Sequence, residues 1–307
     1  MNLISSLSYR SPLPSVVALG CFDGVHLGHT AVLSEARERA TALGCACTVL
    51  TFTEPPRNFF SPRSVPLITD AITKRERIAA LGADTLVCVP FSSEIAAMSA
   101  EDFFENILLD RLRACHIVCG YNYSFGAKGL GNTVLLEQLC AERGIGLSVL
   151  PAVKVGEMPV SSSDIRRAVM EGRPEDAQAM LGRPYALTAT VVNGQHLARS
   201  LGFPTINQIF PDGMLIPRAG VYASRVTVEG ESVFYNGISN VGIRPTVTDH
   251  TLCCETHLFD FSGDLYGRSV TVELLSFLRP ERKFDSIDTL AEQVRADMNA
   301  AKKILKD

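Results

Sequence analysis

In the first half of the chain, short runs that are apolar at nearly every position alternate with longer segments of helical character. The runs are SVVALGCF, ACTVLTF, TLVCVPF, HIVCG and IGLSVLPAV. Strands without polar alternation are expected where helices cover both faces of a parallel sheet. After the first run, His26 to Leu43 places Val32, Ala36, Ala40 and Leu43 on one helical stripe before Gly44 stops it. Ser99 to Asp102 gives a capping-box-like entry to EDFFENILLDRL, and Asn132 or Thr133 opens VLLEQLCAERG, which ends at Gly144. The pattern predicts a doubly wound α/β domain that binds ligands at the C-terminal ends of its strands.

From SSSDIRRAVMEGRPEDAQAMLGRPY the pattern becomes two short helices ended by Gly172 and Gly182. Beyond them LTATVVNG, GVYASRVTV, SVFYNGISNV, CCETHLFDF and SVTVELLSFL read as strands with turns between them and no helices. A small antiparallel β-barrel is the expected way for such strands to avoid open edges. A terminal amphipathic helix, with Leu290, Val294 and Met298 on one stripe, is expected to pack on it. The reading gives two domains, residues 1–182 and 183–307.

Composition agrees with two packed cores: 307 residues, 46% hydrophobic and 20% charged. A net charge of -4 gives no general attraction to nucleic acid or an anionic membrane, so small ligands are favoured over polyanions. The first residues lack a basic region, and Pro12 and Pro14 interrupt them before a long apolar run develops. A cytoplasmic protein is expected. The nine cysteines lie mostly in apolar runs at spacings unlike those of a zinc site, which points to buried free thiols and neither a structural metal nor a disulfide.

The segment GCFDGVHLGH, Gly20 to His29, sits where the first strand passes into the first helix. Gly20 and Gly24 permit close backbone approach, and a helix N-terminus offers free amides to phosphate. His26 and His29, three apart, share a face from which ring N–H groups can stabilise charge on a phosphoryl group in transfer. No lysine is required in this motif. Ser161, Ser162, Ser163 and Arg166 of SSSDIRR stand at another helix entry, suited to holding phosphates and neutralising a departing pyrophosphate.

Gly20, Phe22, Asp23, Gly24, His26, Gly28 and His29 reproduce a G-x-F-D-G-x-H-x-G-H motif. The segment thereby resembles nucleotidylyltransferases, specifically the adenylyltransferase half of bacterial bifunctional riboflavin kinase/FAD synthetases. In that family SSSDIRR corresponds to S-S-T-x-x-R, with Ser163 replacing a threonine. GYNYSFG corresponds to G-x-N-[FY]-x-F-G, which implies that Asn122 and Phe125 lie beside the nucleotide and flavin pocket. One segment departs: the family's T-F-[DE]-P-x-P is TFTEPP here, with Thr53 at the acidic position and Glu54 at a proline position.

In the second half, Thr205 and Asn207 of LGFPTINQ fall on the same side if extended, and both offer oxygen, which hard Mg²⁺ prefers. Alone, PT-x-N is better read as a Pro-initiated turn. It resembles, however, the riboflavin kinase motif G-x-P-T-A-N, with Ile206 for alanine, which implies ATP binding by Gly202, Pro204, Thr205 and Asn207, and Mg²⁺ at Thr205 and Asn207. SNVGIRPTV and CCETHLFDFSGDLYG match further family segments, and Glu255 falls at the catalytic-base position. Asp260 and Asp264 read as turn residues, and Ala198 replaces the glycine usual before Arg199. The resemblance implies ATP-dependent conversion of riboflavin to FMN in a C-terminal β-barrel. An N-terminal parallel-sheet domain then adenylylates FMN to FAD. The alternative is a riboflavin kinase whose adenylyltransferase half is degenerate.

Overall fold

The chain opens with a short strand that the apolar pattern does not announce, β1 (Asn2–Ile4), followed by β2 (Ser15–Leu19), in which every residue is buried. The structure is a computed structural model and describes residues 1–61, 64–194, 202–245 and 250–305. Its contacts divide the chain into two units, Met1–Ser162 and Ser163–Asp307.

In the first unit β2 leads to α1 (Leu27–Leu43), β3 (Ala46–Phe52), the single turn α2 (Arg57–Phe60), α3 (Ala71–Ala80) and β4 (Thr85–Val89). Next come α4 (Ser93–Ala97), α5 (Ala100–Asp102), which runs on into a π-helical stretch Phe103–Arg111, β5 (Ala114–Gly120), α6 (Thr133–Arg143) and β6 (Gly146–Leu150). A small hairpin, β7 (Lys154–Val155) and β8 (Met158–Pro159), closes the unit. The six long-range strands form one parallel sheet in the order β1-β4-β3-β2-β5-β6. The chain winds outward from β2 through β3 and β4, then crosses to β5 and β6 on the other side. The order therefore reverses between β2 and β5, where doubly wound sheets open a crevice for ligands.

Alternate residues of each strand feed opposite layers. Val16 and Ala18 pack with Val32, Leu33, Ala36 and Ala40 of α1 and with Ile78 of α3, whereas Val17 and Leu19 pack with Phe104, Ile107, Leu108 and Leu136. The predicted stripe of α1 needs one correction. Leu43 is 52% exposed, and Leu33 is buried in its place. Leu43 is the last residue before the left-handed Gly44 turns the chain away from the sheet. The segment EDFFENILLDRL also departs from a 3.6 period: Leu112 N–H reaches back five residues to the Ile107 carbonyl, and the wider turn buries the adjacent pairs Phe103/Phe104 and Ile107/Leu108.

The second unit contains α7 (Ser162–Glu171), whose first residue lies in the first unit, and α8 (Pro174–Leu181). These are ended by Gly172 and Gly182 at φ 73° and 72°. The strands β9 (Tyr185–Thr190), β10 (Ile206–Ile209), β11 (Gly220–Val228), β12 (Phe234–Pro245), β13 (His250–Leu258) and β14 (Ser269–Pro280) pair antiparallel in the order β10-β13-β12-β11-β14-β9. The sheet curls into a near-barrel. Across its seam Val192 N–H donates to the Asn207 carbonyl at 2.8 Å, and the buried Gln208 amide donates to the Ala189 and Val270 carbonyls at 2.7 Å. The terminal helix α9 (Ile287–Ile304) starts in a capping box made by Ser286 and Thr289. It lays Val294, Met298 and Ala301 on Val221, Ala223 and Ile238, as the amphipathic pattern requires. Because α8 packs on β9 and β14, the helix pair groups with the barrel, although the composition changes character only after it, at 182/183.

Two glycines separate backbone strain from steric overlap. Gly126 (φ 71°) would place a Cβ 2.7 Å from Ala100 backbone, whereas Gly144 (φ 67°) has nothing within 4 Å. We expect Gly144→Ala to cost about 1–2 kcal/mol in urea unfolding, the usual left-handed penalty. Gly126→Ala should cost clearly more; equal losses would show that the Ala100 contact does not constrain the turn.

Candidate active sites

The passage from β2 to α1 is made by a turn with three residues in the left-handed region: Phe22 (φ 50°), Gly24 (φ 84°) and Val25 (φ 38°). For Phe and the β-branched Val this backbone is costly and persists only where the surroundings fix it. The surroundings do so. The Phe22 ring folds over Gly20, where an added Cβ would lie 2.9 Å from it. Asp23 is 3% exposed, and its carboxylate accepts from the Ile68 amide at 3.0 Å and the Thr69 amide at 3.3 Å. Gly24 N–H donates to Thr69 Oγ1 at 3.2 Å, and Ser162 Oγ donates to the Asp23 carbonyl at 3.1 Å. Gly20, Phe22, Asp23 and Gly24 thus build the turn, with the side chains of Phe22 and Asp23 folded into it.

His26 is the N-cap of α1, one residue before the helix that the sequence starts at His26 itself. Its Nδ1 accepts from the His29 amide at 3.2 Å, so in the neutral ring the proton lies on Nε2. The two imidazoles stack at 3.6 Å between centroids and 14° between planes, and His29 meets the Phe22 ring edge to face at 5.3 Å. The shared face that the spacing predicts is therefore present, at the start of a seventeen-residue helix with no acidic residue in its first turn. That end attracts an anion.

The other loops at the strand ends come from β3 and β5. Asn122 is exposed just beyond β5, while Phe125 is buried, stacked on Tyr123 at 5.8 Å and near Phe103. Ser161 is half-buried, Ser163 is exposed, and Arg166 is buried within α7. Beyond β3, Phe52, Phe59, Phe60 and Phe91 form an edge-to-face cluster, with Phe59 and Phe60 exposed. No motif pointed to this cluster, since its members are scattered in sequence.

A lysine also lies behind the turn. Lys74 of α3 is 7% exposed and donates to the Cys21 carbonyl at 2.7 Å, the Phe52 carbonyl at 2.8 Å and Thr51 Oγ1 at 3.0 Å. Burial lowers its pKa from the ordinary lysine value, opposed by Cys21, Cys88 and Asp23. The sequence does not announce it, because it is one of three basic residues in the exposed-looking run TKRER.

In the second unit, β10 pairs with β13 so that Asn207 lies opposite Glu255. A cavity of about 640 Å³ is lined by Thr205, Glu255, Asn240, His257 and Phe284 among others. Asn207 is 5% exposed, packs against Gly194, and its Oδ1 has no hydrogen-bond partner among the described residues. A buried amide oxygen left in that state is costly unless something else uses it. His257 Nδ1 lies 2.8 Å from the Pro204 carbonyl, an arrangement in which the ring donates and holds the Gly202–Thr205 loop. At the cavity wall Arg279 of β14 donates to both oxygens of the buried Asp297 of α9 at 2.8 to 3.0 Å, and Gln293 completes the set. Asp260 (φ 55°) and Asp264, which accepts from Tyr266 N–H, are turn residues as expected. Ala198, Arg199 and Leu201 lie outside the described residues.

Family models match both halves: FAD synthetase over residues 9–164 and riboflavin kinase over residues 181–305. The chain is similar to bifunctional riboflavin kinase/FMN adenylyltransferases. It is 35% identical to that of Pseudomonas fluorescens over 94% of this chain and 92% of the relative. It is 34% identical to that of Bacillus subtilis (94% and 91%) and 33% identical to that of Escherichia coli K12 (97% and 96%). A crystal structure described as a macrolide-efflux protein from Streptococcus pneumoniae superposes with a TM-score of 0.89, 29% identity and 98% of each chain covered. Among the described residues, no helix of the present chain is long and apolar enough to cross a membrane.

The double duty of His26 can be separated. His26→Ala removes the cap of α1 and should cost about 1 kcal/mol in urea unfolding. His26→Asn keeps a side-chain acceptor for the His29 amide and should recover most of that loss. An Asn variant no more stable than the Ala variant would show that ring stacking, and not capping, holds the turn.

Proposed function

The chain belongs to the bifunctional riboflavin kinase/FMN adenylyltransferase family, and from that premise we propose how its residues divide two reactions between two sites. The enzyme phosphorylates riboflavin to FMN with ATP and joins FMN to the AMP part of a second ATP, forming FAD and releasing pyrophosphate. The match over residues 9–164 favours this over a kinase with a degenerate first half. The observation that carries the division is that the His26/His29 stack lies in the first unit and that Thr205 and Glu255 line one cavity of the second.

In the second unit Glu255 accepts the proton of the riboflavin 5′-hydroxyl as the oxygen attacks the γ-phosphorus of ATP. Gly202, Pro204 and Thr205 form the phosphate loop that His257 holds. Asn207 Oδ1, without a partner among the described residues, and the Thr205 hydroxyl two residues before it are the uncharged oxygens suited to a hard cation, so Mg²⁺ is assigned to them. Bound there, Mg²⁺ supplies neutralisation of charge on the phosphate oxygens.

In the first unit the turn Gly20–Gly24 and the start of α1 receive the triphosphate of ATP, and a phosphate oxygen of FMN attacks the α-phosphorus. His26 Nε2 and His29 donate to the oxygens that gain charge. Ser161, Ser162 and Ser163 hold phosphates, and Arg166 neutralises the departing pyrophosphate; for Ser163 and Arg166 the resemblance is the support. Asn122 and the exposed rings of Phe59 and Phe60 form the flavin side, while Phe125 is buried against Tyr123 and Phe103 and holds the loop that carries Asn122. A cytoplasmic location, where ATP and both flavins are available, belongs to the same reading.

Incubation with riboflavin, ATP and Mg²⁺ should yield FAD by chromatography; accumulation of FMN alone would restore the kinase-only alternative. Glu255→Ala should lower FMN formation by at least about 100-fold while sparing adenylylation of supplied FMN. His29→Ala should do the reverse, by about 100- to 1,000-fold. Loss of both activities in both folded variants would sink the division. Asn207→Ala should raise the Mg²⁺ concentration needed for half-maximal kinase rate without moving that for adenylylation.

A further inference from the structure

Cys21 lies in the phosphate turn, and Thr51 and Phe52 end the strand that enters TFTEPP. The Lys74 ammonium donates to all three, and Thr51 Oγ1 itself donates to the Cys21 carbonyl at 2.8 Å. The result is a closed set of hydrogen bonds around one buried cation, spanning the C-terminal ends of the adjacent strands β2 and β3. The β2/β3 ladder itself stops at Leu19 and Leu50, while Thr51 and Phe52 pair on the other side with Cys88 and Val89 of β4. The distance between the two loops is therefore set by what Lys74 holds. Its own helix is tied to the same turn through Asp23 on the Ile68 and Thr69 amides and through Thr69 Oγ1 on Gly24 N–H, and Asp70 caps α3.

We propose that Lys74 is a positioning residue of FMN adenylylation. It fixes the separation between the ATP phosphate turn and the flavin-side loop, so that the attacking oxygen and the α-phosphorus meet in line. This rests on the assignment of adenylylation to the first unit. Lys74 touches neither substrate. Its three N–H groups are all used on protein oxygens, so it acts through the turn. Transfer between two bound substrates depends steeply on their spacing, and a misplacement of an ångström costs about 100-fold.

The test compares wild type, Lys74→Met and Lys74→Arg in the full-length protein. The kinase rate of each preparation reports folding of the other unit, and urea unfolding reports stability of the chain. For Lys74→Met we expect kcat for FMN adenylylation to fall by about 100-fold with KM for both FMN and ATP raised, and an unchanged kinase rate. Lys74→Arg, which keeps charge and donors, should regain at least a tenth of the wild-type rate. A purely structural lysine would reduce the active fraction and leave the KM values of the remainder at wild type; that result overturns the proposal. So does Lys74→Arg behaving as Lys74→Met. Where Lys74→Met is insoluble, Thr51→Val carries the test. It removes one acceptor and the Cys21 bond, and an unchanged KM for FMN in that variant also overturns the proposal. A wild-type protein unable to make FAD from FMN would instead strike the functional assignment, leaving the two failures distinct.

Discussion

The turn that takes the chain from β2 into α1 is the constraint on which the first site depends. It must reverse direction within a few residues, and it does so by placing Phe22 and Val25 in a backbone region that costs such residues about 1–3 kcal/mol each. What offsets this is a set of buried bonds to a charged acceptor, each worth about 1.5–3 kcal/mol: the Asp23 carboxylate on two backbone amides. Thr69, Ser162 and Lys74 add to the clamp. A turn so held fixes the start of α1 at the C-terminal end of β2, with the two imidazoles already stacked there.

The second unit reaches similar rigidity through register. Pairing β10 with β13 sets Asn207 opposite Glu255, and a slip of β10 by one residue would send Asn207 to the other face of the sheet. Three devices hold the register: the Val192–Asn207 bridge, the Gln208 amide across the seam, and His257 on the Pro204 carbonyl. The Arg279–Asp297 pair then fixes α9 against the wall of the cavity. Removing one partner of so buried a pair would leave the other charge stranded, so the pair locks the helix position more than it adds net stability.

Much of this was legible in the sequence, and the exceptions have physical reasons. Buried parallel strands announce themselves because both faces are apolar: ACTVLTF became β3 residue for residue, and SVVALGCF became β2 as far as Leu19, where the turn begins. β1 and β10 did not, because three or four residues are too few to show a period. GCFDGVHLGH and PTIN were readable because chemistry fixes residue types at fixed spacings. Lys74, His257 and Asp297 were not, because each acts on an atom far away in the chain, often a backbone carbonyl, which leaves no local pattern. Asp23 was readable as a motif residue, but its inward orientation appears only with Ile68 and Thr69 in place.

The segment TFTEPP, where the chain departs from its family, can be weighed against these contacts. Lys74 holds the backbone carbonyl of Phe52 and the hydroxyl of Thr51; the side chain at position 53 takes no part in the clamp. Thr53 is exposed, and its amide donates to the Val89 carbonyl at 2.9 Å, so the backbone continues the β3/β4 ladder whatever side chain it bears. Farther along, Asn58 donates to Glu54 Oε2 and exchanges two bonds with the Val65 backbone, at 2.7 and 3.1 Å. Glu54, at the position of a family proline, is thus engaged within the loop, which keeps two prolines at Pro55 and Pro56 and is tied further by Asn58. The departure changes the side chains of the loop and leaves the Lys74 contacts at the ends of β2 and β3 in place, so on the reading proposed above a changed loop and FMN adenylylation are compatible in one chain.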